Sequence, residues 1–144
     1  MKDNLYDTDF HAWALLQARR VRAGEAIDGQ HIAEELEDLG KNTQQQLENR
    51  MAVLLAHLLK WEFQPDKRSR SWEGTIKEQR RRVEKLLRKN PSLKSELAET
   101  IADAYAIAVT FASVETGIVE EDFPAECPYT LQQMLELETH AERG

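Results

Sequence analysis

Residues 47–63, LENRMAVLLAHLLKWEF, decide the fold. Leu47, Met51, Leu54, Leu55 and Leu58 recur at spacings of three and four, the period of one helix face. Val53 and Trp61 point to other sides, so this helix is apolar over most of its circumference. A helix of that kind is covered by neighbours on several sides, which makes it the central element of a helical protein. No segment of the chain alternates convincingly at the two-residue period of a strand.

Working outward, the upstream pattern is also helical. Thr8 is placed to cap a first helix that runs to about Ala23 and stops at Gly24. Its stripe is Phe10, Trp13, Ala14 and Val21, with Gln17 inside it. Asp28 caps a second helix with Ile32, Leu36 and Leu39 on one side, and Gly40 ends or kinks it before helix resumes towards Phe63. Downstream, Pro65 breaks the chain and Ser69 or Ser71 caps a helix with the stripe Trp72, Ile76, Gln79, Val83, Leu86. Asn90-Pro91 is a stop and restart. Helix is expected again from about Ser92 to Thr116, closed by Gly117. Residues 118–129 read as an ordered loop, and Thr130 caps a last short helix carrying Leu131, Met134 and Leu135. The expectation is an all-α protein, a compact bundle of five or six helices forming one domain over residues 1–144.

Composition narrows the functional classes. The chain has 144 residues, is 41% hydrophobic and 31% charged, and carries a net charge of −7. That balance opposes whole-surface attraction to nucleic acid or anionic lipid. The opening MKDNLYDTDF lacks an apolar leader core, and the longest uncharged runs, Met51–Leu59 and Ala104–Val114, fall short of the roughly 18–20 residues a membrane span needs. A cytoplasmic protein with no membrane partner is expected. Cys127 is the single cysteine, which fits a reducing compartment and a structural thiol.

Charge is uneven along the chain. Lys60 to Asn90 holds eleven Lys/Arg against five Asp/Glu, a local net of +6 between two acidic flanks. The start of this band, Lys67-Arg68-Ser69-Arg70-Ser71-Trp72, is the best site candidate. A helix N-terminus offers free N–H groups and a favourable dipole to an anion, and arginines, hydroxyls and an aromatic face converge there. Lys77, Arg81, Lys85 and Arg88 continue it as an outward ridge. The surface fits an anionic ligand or an acidic protein partner, and the wider band 67–89 could instead meet a nucleic-acid backbone. Against both, Glu73–Lys77, Glu78–Arg82 and Glu84–Arg88 are i,i+4 pairs, the pattern of an ordinary solvated helix.

Other chemistry is weaker. Glu34, Glu37 and Asp38 lie opposite the apolar stripe of their helix, and only Glu35 flanks it, so no metal site or cofactor is expected. His57 stands alone in the apolar helix and needs a hydrogen-bond partner. Gln79 occupies an apolar position of its stripe, where an unpaired amide costs about 1–3 kcal/mol. Glu35, His57 and Gln79 are the candidates for a polar site, and a metal-dependent or hydrolytic enzyme centred on His57 and Glu35 is the alternative to a binding module. No nucleophile elbow, phosphate loop, dinucleotide fingerprint or HExxH motif is present.

Three stretches, LYDTDFHAWALLQARRVRAG (5–24), HIAEELEDLGKNTQQQLENRMAVLLAHLLKWEFQPDKRSRSWEGTIKEQRRRV (31–83) and FPAECPYTLQQML (123–135), resemble a bacterial family known only as domain of unknown function number 29. The resemblance covers nearly the whole chain. It implies a small helical cytoplasmic bacterial protein and brings no reaction or ligand. Trp13, Glu34, Glu35, Leu39, Gly40, His57, Trp61, Arg68, Ser69 and Trp72 are among the residues that carry it.

Overall fold

The computed structural model describes residues 5–141, and among them every regular element is helical. The α-helices are α1 (Leu5–Thr8), α2 (Phe10–Ala23), α3 (Gly29–Phe63), α4 (Arg70–Lys89), α5 (Leu97–Thr116) and α6 (Leu131–Glu136). Short 3₁₀ turns occupy Pro65–Lys67, Pro91–Glu96 and Glu120–Asp122. The all-α expectation holds.

Local chemistry explains the boundaries. Asp9, one residue later than the expected cap, accepts from the Ala12 N–H at 3.1 Å, because Thr8 belongs to α1. Ser69 accepts from the Trp72 N–H and starts α4. Thr130 and Gln133 form a capping box that starts α6. Gly24 (φ +71°) and Gly117 (φ +77°) end α2 and α5 in the left-handed region, where a side chain would be strained. Two expectations change. Helix runs through Gly40 without a stop, and the segment after Pro91 winds as 3₁₀ until Leu97 before α helix begins.

The single-domain expectation meets a finer division: contacts gather into two units, Met1–Asn42 and Thr43–Gly144. In the first, α2 buries Trp13 and Gln17 and leaves Phe10 and Val21 exposed, so the inward face is narrower than the sequence stripe. Leu36 and Leu39 are exposed as well. In the second, the core forms on α3 as its period requires. Leu47, Met51, Leu54, Leu55 and Leu59 are fully buried, and Leu58 nearly so. Ile76, Val83 and Leu87 of α4, Ala104, Ala108 and Ala112 of α5, and Phe123, Tyr129 and Met134 complete that cluster. The buried alanines of α5 let its backbone approach closely.

The rest of α5 is less covered. Pro91–Thr116 contains an 18-residue window of mean hydropathy 1.4, long and apolar enough by composition to cross a membrane, and only 28% of that window is buried.

Candidate functional site

The Lys67–Trp72 corner is built by the break at Pro65. The 3₁₀ turn reverses the chain, and Arg68 returns to α3, where its Nε–H donates to the Trp61 carbonyl at 2.8 Å. Its guanidinium lies 5.0 Å from the Trp61 ring centroid. The Ser69 hydroxyl is occupied as the α4 cap. Trp72 is half-buried, with the Lys60 ammonium 5.0 Å from its ring centroid. Arg68 and Trp72 therefore tie the start of α4 to α3 and Ser69 caps α4, while Arg68 itself stays exposed along with Lys67, Arg70 and Ser71.

Lys60 is an addition to the sequence reading. It is only 5% exposed, and its ammonium pairs with the Glu115 carboxylate of α5 at the edge of the core. Tyr129 closes the neighbouring turn, donating its hydroxyl hydrogen to Glu62 at 2.5 Å with the Leu58 carbonyl 3.3 Å away. Burial, then the Glu62 carboxylate, pushes the Tyr129 phenol well above its ordinary value. Arg80 is a second addition, donating to the carbonyls of Met134 at 2.8 Å and Leu137 at 2.7 Å and so seating α6 on α4. A lone cation in a basic run gives no sign of such a role.

The polar candidates have separate partners. His57 Nδ1 donates to the Val53 carbonyl at 2.9 Å, which leaves Nε2 as the bare nitrogen of a neutral ring. Burial holds its pKa below the ordinary 6.5, with the Val53 hydrogen bond opposing. Gln79 is 9% exposed and its Oε1 has no hydrogen-bond partner. Glu35 belongs to the first unit, where it accepts from the Tyr6 hydroxyl at 2.5 Å and raises that phenol to about 12. Among the described residues, no group of three His, Cys, Asp or Glu side chains is placed to hold a metal ion.

The first unit carries a network that the sequence did not suggest. Asp28 accepts from Trp13 Nε1 at 3.0 Å and from His31 Nδ1 at 2.7 Å, and its own N–H donates to Gln17 at 2.8 Å. The Tyr6 ring stacks on His31 with 3.9 Å between centroids. The Asp28 hydrogen bond raises the His31 pKa. Spacing alone suggested only that Asp28 caps a helix, since Tyr6 and Trp13 arrive from different helices.

The basic band opens onto two grooves of unequal charge. One, about 690 Å³, lies between α3 and the outer half of α4 and is lined by Gln46, Arg50, Glu78, Arg81, Arg82, Glu84, Lys85, Leu86, Arg88 and Lys89. Six cations face two carboxylates there. Glu78 is already taken by Arg81 at 2.6 Å and Arg82 at 2.9 Å, which lowers its pKa. The other, about 610 Å³, holds Lys77, Arg80 and Arg81 among Glu73, Glu78, Glu84, Glu136 and Glu138, with His140, so acids prevail. Glu73 accepts from the Ala141 N–H at 3.0 Å, a tie to the C-terminal segment in place of the expected pairing with Lys77. Lys77 borders only the acidic groove, whereas Arg81 lies between the two and lines both.

With this geometry in place, the comparison with known families is direct. The family model described as "Domain of unknown function DUF29" matches residues 5–139, and the chain belongs to that family. No curated protein and no solved structure matches it.

Proposed function

We propose that this chain is a binding module that takes an acidic segment of a protein partner into the groove between α3 and α4. The observation that carries this is the groove's lining, six cations against two carboxylates, in a chain whose net charge is −7. A local field of that sign acts within the Debye length of about 8 Å at physiological salt, so it selects an anionic segment in contact and leaves the acidic whole unattractive to distant polyanions. The binding surface thereby moves along α4 from the Lys67–Trp72 corner, whose Arg68, Ser69 and Trp72 are engaged internally. Nucleic acid is the poorer fit. The groove has no aromatic side chain on which a base could stack, and Glu84 would face a phosphate.

The test is titration with a short oligo-glutamate peptide and, separately, a single-stranded oligonucleotide, recording amide shifts. Shifts at Arg81, Lys85, Arg88 and Lys89 with the peptide, weakened about tenfold by Lys85→Glu with Arg88→Glu, are expected. Silence of those amides up to about 1 mM peptide, a binding energy under roughly 4 kcal/mol, overturns the proposal. Tighter and steeply salt-dependent binding of the oligonucleotide replaces it with nucleic-acid binding.

A further inference from the structure

We infer that the open face of α5 is a second docking surface, for an amphipathic helix of a protein partner whose apolar face is bordered by Lys or Arg. The apolar part of α5 is wider than the side that its neighbours cover, and an uncovered apolar stripe invites a partner. On α5 only the side bearing Thr100, Ala104, Tyr105, Ala108 and Ala112 is buried, whereas Phe111 is 52% and Val114 79% exposed. Along the opposite edge runs a slot of about 410 Å³. It is lined by Ala102, Tyr105, Ala106, Val109 and Phe123, together with Glu120 and Glu121. The small side chains at 102 and 106 leave room for a partner's Leu or Ile, and helix-in-groove recognition uses such anchors.

Charge selects among the occupants. The exposed charged residues of this face and its border, Glu99, Asp103, Glu120, Glu121 and Asp122, are all acidic. An anionic lipid surface is repelled by them, and a second copy packed about a two-fold axis would set these acids against their own equivalents. A cationic border on the incoming helix complements them. This surface is distinct from the groove between α3 and α4 and takes a ligand of opposite charge.

The experiment uses the full chain and two synthetic helical peptides of about 18 residues with one Leu face, the other face built from Lys in one and Glu in the other. The Leu/Lys peptide is expected to bind at least about tenfold tighter, shifting amides from Ala102 to Val109 and from Glu120 to Phe123. Glu120→Lys with Glu121→Lys should remove that preference. Ala106→Glu, at an exposed position where the fold should persist by circular dichroism, should abolish binding. Equal binding of both peptides, or binding untouched by Ala106→Glu, overturns the inference. Flotation with phosphatidylglycerol vesicles that Ala106→Glu or Phe111→Ser abolishes overturns it in favour of a lipid surface. A concentration-dependent dimer dissolved by Ala106→Glu overturns it in favour of a second copy.

Discussion

The Lys60 ammonium lies 5.0 Å from the centroid of the Trp72 ring, and Glu115 pairs with it from α5. A lysine that is 5% exposed on the helix that carries the core leucines persists because a π face and a carboxylate replace its water. Removing one partner leaves the other charge poorly solvated, whereas removing both does not. Glu115 is half in solvent, which moderates the effect. Glu115→Gln is expected to cost about 1–3 kcal/mol in a denaturant melt. Lys60→Met with Glu115→Gln should cost less than Glu115→Gln alone. A double variant weaker than either single one would show that the ammonium has a further buried partner.

Leu58 is 1% exposed in the middle of the second unit's core. Truncation there removes both the transfer free energy and the packing of its neighbours on α3. Leu58→Ala should destabilise by about 2–5 kcal/mol. A loss below about 1 kcal/mol would mean that this stretch of α3 is peripheral.

The fold was legible where one period governs one face. Leu47, Met51, Leu54 and Leu58 of α3, and Ile76 and Val83 of α4, are buried as their spacing requires. The caps Ser69 and Thr130 are local chemistry, readable within four residues. Gly40 misled because its propensity cost, about 1 kcal/mol, is small within a helix of 35 residues held by tertiary packing. The site was less legible for a different reason. Arg68 reads in the sequence as an anion-binding candidate, yet its Nε–H is used by the Trp61 carbonyl, seven residues back and across a turn. Arg50 gave no sign of joining Arg81 and Lys85, since the groove that unites them exists only once α3 and α4 are side by side. His31 carried no periodic signal at all, because its partners Tyr6 and Asp28 come from separate segments.

Gln79 provides a sharper test of register against site. Its Oε1 is buried with no partner, and an unmet carbonyl of this kind costs about 1–3 kcal/mol. Gln79→Met keeps the length of the side chain and removes the orphan. The expected outcome is a gain of about 1 kcal/mol in chemical denaturation. A loss of more than about 1 kcal/mol would show that the amide makes a compensating bond within the core.

The histidines should titrate on opposite sides of their ordinary pKa of 6.5. His31 is raised by its hydrogen bond to Asp28, and His57 is lowered by burial. The linkage signs are opposite. His31 contributes stability that is complete below 6.5 and is lost as pH rises through its folded value. His57 contributes stability that is present above 6.5 and is lost as pH falls below it, because the unfolded ring gains a proton more readily. Ring-proton shifts followed from acid to base should give a His31 midpoint above 6.5 and a His57 midpoint below it. Asp28→Asn retains a capping side chain but removes the charge. It should bring the His31 midpoint down and leave that of His57 where it was. If the His31 midpoint does not move in Asp28→Asn, the carboxylate contact at 2.7 Å is not what holds its proton.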